Sequence, residues 1–115
     1  MGATESTPFA KFDNREADFE NKFAHDQDMA FRVTARRNKL LGQWAAARMA
    51  LTEAETDAYA KSVVQADFEE AGDEDVIRKL LGDLIAAGVD TSDEEVRQAL
   101  ADQEVEARRQ LMEAK

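Results

Sequence analysis

The sequence predicts an all-α protein: a four-helix bundle with a long first helix and a mobile N-terminal arm. Pro8 is the only proline among 115 residues, and only five glycines interrupt the chain. Alanine is abundant and β-branched residues are few, which is the composition of helices. Apolar residues also recur every three or four positions, the period of one helix face. A hydrophobic content of 43% supports one core in a single domain of this length.

The first helix is predicted over residues 14–50, after a mobile segment over residues 1–13. Residues 1–7 are small and polar, so we expect no fixed structure there. Two helix starts are possible: Thr7 as an N-cap followed by Pro8 at the first helical position, or Asp13 with Glu16, which have the spacing of a capping box. Gly42 falls inside this helix, where it either kinks the helix or leaves it straight. The apolar residues that follow one face are Phe12, Phe19, Phe23, Ala30, Val33, Leu41 and Trp44.

Three further helices are predicted over residues 53–70, 74–87 and 93–113. The second and fourth begin at capping boxes, Thr52 with Glu55 and Ser92 with Glu95. We expect Gly72 to end the second helix as a left-handed C-cap and Gly88 to end the third. Short connections make sequential helices antiparallel neighbours. The expected inward residues are Tyr59, Val63, Val64, Val76, Ile77, Leu80, Leu81, Leu84, Ile85, Val96, Leu100, Gln103, Ala107 and Leu111.

The charge of the chain is acidic and unevenly spread. The formal net charge is −10, and residues 51–115 hold 18 acidic against 7 basic side chains. A surface of this sign disfavours nucleic acid, because phosphate attraction needs positive charge. No apolar run resembles a signal peptide, and none approaches the roughly 20 residues of a membrane helix. We therefore expect neither nucleic-acid binding nor direct membrane insertion.

Metal, cofactor and catalytic sites are not predicted. The chain has no cysteine, and His25 is its only histidine, so a histidine or thiolate metal site lacks ligands. Residues 67–78 superficially resemble a calcium loop, but Ala71 and Arg78 occupy the fifth and twelfth positions, where the loop needs oxygen ligands. There is also no glycine-rich phosphate loop and no nucleophile paired with His25. We expect a protein that is not an enzyme and needs no cofactor.

One basic cluster stands out in the first helix, at Arg32, Arg36, Arg37 and Lys39. It can be a solvated face that pairs with the acidic second half, which is the favoured interpretation. It can also be a secondary contact that makes the protein a general helical adaptor, or a weak site for an adenine nucleotide. Arg37 lies near the apolar stripe, so it can reach either an internal carboxylate or an external acidic surface.

The phenylalanines are concentrated at the N-terminus. Phe9, Phe12, Phe19 and Phe23 are four of the six, within one 15-residue span. A first helix of roughly 36 residues spans about 54 Å, longer than the helices that follow it. Its first turns therefore overhang the bundle and leave Phe9 and Phe12 without a core to join. Such a segment is typical of an arm that becomes helical when it docks in a partner's groove.

Several segments resemble one bacterial family. They are Phe12-Asp13-Asn14-Arg15-Glu16, Phe19-Glu20-Asn21-Lys22-Phe23-Ala24-His25-Asp26, Ala35-Arg36-Arg37-Asn38-Lys39-Leu40-Leu41-Gly42-Gln43-Trp44-Ala45-Ala46, Tyr59-Ala60-Lys61-Ser62-Val63-Val64 and Ala66-Asp67-Phe68-Glu69-Glu70-Ala71-Gly72-Asp73-Glu74-Asp75-Val76. On these residues the chain resembles the zeta subunit, the ATPase inhibitor subunit of the alphaproteobacterial F-type ATP synthase. The resemblance runs from about Phe12 to the C-terminus, most specifically as far as Val76.

The resemblance implies a function and partners. It implies a four-helix bundle whose N-terminal segment inserts as a helix between catalytic subunits of the F1 head and contacts the rotor shaft, which blocks ATP hydrolysis. The implied partners are the alpha, beta and gamma subunits of F1, with the free protein monomeric. The implied location is the cytoplasm, peripheral to the inner membrane through F1. The residues expected to carry the inhibition are Phe9, Lys11, Phe12, Arg15 and Phe19.

Overall fold

The computed structural model describes residues 27–69 and 72–113. These two ranges form four helices and contain no strand, which confirms the predicted all-α class. The described part of α1 covers residues 27–48, and the other helices are α2 (Glu53–Glu69), α3 (Asp73–Ala86) and α4 (Asp93–Glu113). The chain divides between Phe31 and Arg32 into two compact units, and the bundle described below belongs to the second.

Contacts between α1 and α4 establish that these two helices are antiparallel. Arg36, before the middle of α1, donates from Nη1 to Gln110 Oε1 near the end of α4, at 2.7 Å. Arg48, at the end of α1, lies 2.7 Å from Glu95 Oε1 near the start of α4. Residue numbers thus rise along one helix as they fall along the other. α2 packs against α3, and α3 packs against α4, so the bundle connects neighbours in chain order.

The core draws on every helix of the bundle. Its buried members are Leu41, Ala45, Val63, Val76, Ile77, Leu80, Leu84, Val96 and Ala99, with Trp44, Met49, Tyr59, Leu81, Val89 and Leu100 packed around them. Most were predicted from the spacing. Ile85 was predicted to face inward, and that is wrong, because its side chain is 58% exposed. Ile85 lies in the last turn of α3, next to the end of the helix at Ala86.

The start of α2 carries the predicted capping box. The Thr52 backbone N–H donates to Glu55 Oε1 at 2.8 Å, and the Glu55 N–H donates to Thr52 Oγ1 at 3.1 Å. At the start of α4 only half of the predicted box forms. The Glu95 N–H donates to Ser92 Oγ, while the Glu95 carboxylate instead accepts from the hydroxyl of Thr91. The Glu95 carboxylate also pairs with Arg48 of α1. It therefore bonds to Thr91 and Arg48 in place of the Ser92 backbone N–H, which a complete capping box would use.

The ends of α1 and α3 share one backbone motif. At Gly88, as predicted, φ is positive, and the N–H groups of Gly88 and Val89 donate to Ile85 O and Leu84 O, which is a Schellman turn. Ala50, with φ of 59°, occupies the equivalent place after α1. Gly72 was predicted to be a left-handed C-cap of α2, and that is wrong. Its φ of 131° and ψ of 141° lie outside the left-handed helical region, and it serves as the N-cap of α3.

Gly42 lies inside α1 without interrupting the helix, and its role is to let α1 approach α2 closely. A Cβ built on Gly42 lies only 2.7 Å from the Ala60 Cα atom and 3.2 Å from Val63 Cγ2. Two non-bonded carbon atoms of a folded chain do not come so close, because their optimal separation is about 3.5–4.0 Å. Any larger side chain at Gly42 therefore pushes the two helices apart.

Candidate functional site

The predicted inhibitory arm precedes the described residues. Its expected contact residues, Phe9, Lys11, Phe12, Arg15 and Phe19, all lie outside the two ranges that the structure describes, as does His25. The sequence-predicted residues with described side chains are therefore the four of the basic cluster. These four residues lie on the described part of α1.

The four basic residues of α1 do not share one surface. Arg37 is only 3% exposed, and Arg36 is half-buried with its guanidinium bonded to Gln110. Arg32 and Lys39 are exposed. Because Arg37 is inside the bundle and Arg36 is held against α4, an external partner meets Arg32 and Lys39 rather than a continuous basic strip.

Arg37 reaches internal carboxylates, which decides between the two alternatives left open by the sequence. Its Nη2 lies 3.0 Å from Asp73 Oδ1 at the start of α3, and its Nη1 lies 3.2 Å from Glu104 Oε1 in α4. Its Nε and Nη2 also donate to Asn38 Oδ1, at 3.1 and 3.0 Å. These four residues, the Arg37 network, join α1 to α3 and α4. A buried guanidinium needs such partners, since an unpaired buried charge is very costly.

The charged groups of the Arg37 network change the pKa of Glu104. Burial alone raises the pKa of this carboxyl, but hydrogen bonds from Arg108 and Arg37 outweigh the burial, and the pKa lies below its usual range. Asn38 Nδ2 is buried without a hydrogen-bond partner among the described atoms, although Asn38 Oδ1 is doubly bonded. The network thus favours the ionised form of Glu104 and links α1 to α3 and α4 through the Arg37 guanidinium.

A groove between α1 and α2 is the second feature of this region. It has a volume of about 570 Å³ and is lined by Lys39, Asp57, Ala60, Lys61, Val64 and Gln65. We call it the α1–α2 groove. Lys39 comes from the basic cluster, but the α2 residues were not predicted as site residues. No local motif marks them, because only the packing of α2 on α1 brings Lys61 to the same groove as Lys39.

Two kinds of feature are absent from the part of the chain that the structure describes. Within residues 27–69 and 72–113, no three His, Cys, Asp or Glu side chains are grouped so that they could hold a metal ion. In the same part of the chain, no helix has the length and apolar character needed to cross a membrane.

Comparison with known proteins identifies the family. A family model, ATPase inhibitor subunit zeta, matches residues 9–110, which include the predicted arm residues as well as the bundle. A solution NMR structure of a protein is similar to the chain, with a TM-score of 0.67 and 46% sequence identity; the match covers 76% of this chain and 99% of the other. The comparison with curated proteins finds no match. The chain therefore belongs to the ATPase inhibitor subunit zeta family.

Proposed function

We propose that this protein inhibits ATP hydrolysis by the F1 head of an ATP synthase. The observation that carries the proposal is the family match over residues 9–110, whose family is one of ATPase inhibitor subunits. The matched residues include the predicted arm residues from Phe9 onward as well as the bundle. The implied partners are the alpha, beta and gamma subunits of F1, so the protein resides where F1 does, on the cytoplasmic side of the inner membrane.

The inhibitory element in this proposal is the segment of residues 8–20. It inserts as a helix at a catalytic interface and contacts the rotor shaft, while the bundle remains outside as a bulky head. Its aromatic side chains supply apolar anchors, and its basic side chains supply ion pairs with the partner. A helix wedged in an interface that must close raises the free energy of the next catalytic conformation, and so stops rotation. The anchor residues are Phe9, Lys11, Phe12, Arg15 and Phe19.

The protein acts in this scheme as a regulator and performs no chemistry of its own. The Arg37 network supports that role, because its charged groups form ion pairs with one another and link the helices of the bundle. The alternative of a general adaptor that binds through the whole basic cluster is disfavoured by the same geometry, since Arg37 is buried.

A hydrolysis assay with truncated proteins tests the proposal. Added to detergent-activated F1, the full-length protein is expected to reduce ATP hydrolysis in a saturable manner. Deletion of residues 1–18 is expected to abolish the inhibition, because it removes most of the inserted helix. The matched control deletes residues 1–7 only, which lie before the segment, and should still inhibit. Unchanged hydrolysis at saturating full-length protein would falsify the proposal.

A further inference from the structure

The α1–α2 groove combines an apolar floor with positive charge on both walls. Val64 is half-buried and Ala60 is almost fully buried, and they lie one helical turn apart on α2. Lys39 on α1 and Lys61 on α2 are exposed at opposite walls. Ala60 also marks the close contact of α1 with α2, because its Cα atom lies 2.7 Å from a Cβ built on Gly42, so the groove borders that contact.

The two lysines differ from the other cations of the bundle. Neither Lys39 nor Lys61 forms an ion pair with a carboxylate of the described residues. Carboxylates pair with Arg37, Arg48, Arg78, Lys79, Arg97, Arg108 and Arg109. The lining also includes one carboxylate, Asp57, so the two lysines leave a positive excess on the groove of a chain whose net charge is −10. The groove is a local positive feature on an acidic protein, and such a feature attracts negatively charged partners.

We propose that the α1–α2 groove binds an acidic, amphipathic helix of the ATPase that this protein inhibits. The apolar side chains of that helix pack on Val64 and Ala60, while carboxylates on its two sides meet Lys39 and Lys61. This is the helix-in-groove mode of recognition. The inference rests on the proposed function for the identity of the partner, and it adds a second contact, made by the bundle rather than by the arm.

Two other occupants fit the groove less well. A second copy of this chain also carries −10, so long-range repulsion opposes that complex. A free phosphate-type anion satisfies the lysines but leaves the apolar floor in contact with water, and Asp57 on the lining repels it. An amphipathic helix uses both the charge and the floor, and it can place its backbone or a polar side chain beside Asp57.

The test compares two double variants in binding to the F1 head. Lys39→Gln/Lys61→Gln removes the positive walls. The matched control, Arg78→Gln/Arg108→Gln, makes the same change in net charge at two exposed arginines on α3 and α4 that do not line the groove. The groove variant is expected to bind about 3- to 10-fold more weakly at low salt, with a shallower salt dependence than wild type, because rim charges act through screened attraction. The control is expected to stay within twofold of wild type.

A third variant and a cross-linking experiment examine the floor and the partner's identity. Val64→Ser removes apolar contact without changing charge and is expected to weaken binding at both low and high salt. A photo-reactive residue at position 61 is expected to cross-link to an acidic helical segment of an F1 subunit. Circular dichroism confirms that each variant keeps its helical content and melting temperature.

The outcomes separate the groove from the arm. Equal affinities of the groove variant and its control overturn the groove proposal, even where the full-length protein inhibits hydrolysis. Cross-links to a basic segment or to another copy of this chain also overturn it, as does displacement of F1 by millimolar inorganic phosphate or ATP. If wild-type protein binds F1 through the groove but leaves hydrolysis unchanged, the proposed inhibitory function is wrong and the docking proposal stands. If wild-type protein does not bind F1 at all, both the inhibitory function and the docking proposal are wrong.

Discussion

Arg37 is the residue that most departs from its sequence context. It lies on the apolar side of α1, yet its guanidinium is almost fully buried and pairs with Asp73 and Glu104. The carboxylates come from two other helices and remain in contact with solvent, which limits the cost of removing their charges from water. The result is a directional contact among three helices, where a methionine or leucine would permit many packings.

Ala50 is a second residue whose conformation the sequence did not suggest. Its φ of 59° lies in the left-handed region, and the Leu51 N–H donates to Ala46 O at 3.1 Å to close the turn after α1. Glycine is the residue usually found at this position, because it lacks the Cβ that strains the left-handed conformation. Alanine is tolerated here at a cost in stability.

Ala50→Gly is therefore expected to stabilise the bundle. Relief of the left-handed strain exceeds the added chain entropy of glycine, and the net gain should be about 1 kcal/mol. Urea unfolding followed by circular dichroism measures the change. The control is Gly88→Ala, which places the same strain in the equivalent turn after α3 and should lose a similar amount. A loss of stability in Ala50→Gly contradicts the strain argument.

At the scale of the helices, two glycines in helical positions have opposite roles. Gly42 lies where α1 touches α2, so an added methyl group meets the Ala60 backbone. Gly82 lies in α3, where an added Cβ has no neighbour within 4 Å. The first glycine allows two elements to pack, and the second only weakens the helix that contains it.

The two glycine-to-alanine substitutions should thus differ in sign. Gly42→Ala is expected to destabilise the protein by about 1–3 kcal/mol, because overpacking forces backbone shifts. Gly82→Ala is expected to stabilise it by roughly 0.5–1 kcal/mol through helix propensity. Thermal unfolding of both variants beside wild type gives the comparison. Stabilisation by both would show that α1 and α2 separate freely at this contact.

The helices were predictable to the extent that their signals are local. The capping box at Thr52 and Glu55 depends on residues three apart, and the structure forms both of its bonds. The end of α3 at Gly88 follows from one residue type. Ala50 gave no such signal, since its strained φ is imposed by the turn between α1 and α2. The sequence indicated that Arg37 could pair with a carboxylate of the same chain, but it did not indicate which one. Helix packing decides which carboxylates come within reach.

The α1–α2 groove was not predictable from the sequence. Lys39 and Lys61 are 22 positions apart, and the basic cluster that contains Lys39 gives no indication that Lys61 of the next helix lies beside it. Their relation depends on the antiparallel packing that Gly42 permits. The arm differs from the groove in this respect. Its phenylalanine cluster is evident in the sequence, and it lies outside the described residues.

At the scale of the whole molecule, depressed carboxyl pKa values make the fold sensitive to acid. The backbone N–H of Thr52 lowers the pKa of Glu55, and hydrogen bonds from Arg109 and Gln110 lower the pKa of Glu106 to about 2. Hydrogen bonds and ion pairs likewise lower the pKa of Glu74, Glu95 and Glu104. A carboxyl that is more acidic when folded stabilises the fold above its unfolded pKa and loses that effect as the pH falls.

The free energy of unfolding is accordingly expected to fall as the pH is lowered from about 4.5 toward 2, the window between the unfolded pKa of glutamate and that of folded Glu106. Urea titrations at pH 7, 4.5, 3.5 and 2.5 measure the trend. Glu106→Gln should show a smaller decline, because it removes the most acidic of these groups. Stability that is flat or rising across this window would contradict the assignment of these carboxyls as partners of folded-state donors.

Trp44 gives the molecule a built-in optical probe. It is the only tryptophan, it packs against the core, and the Arg48 guanidinium lies 5.3 Å from its ring centroid. Indole emission responds to local polarity and to a nearby cation, so unlabelled protein reports the integrity of the bundle through one fluorophore. Inhibitory variants of the arm can then be screened for intact bundles by emission maximum alone, without a tag or dye on a chain that also contains no cysteine to label.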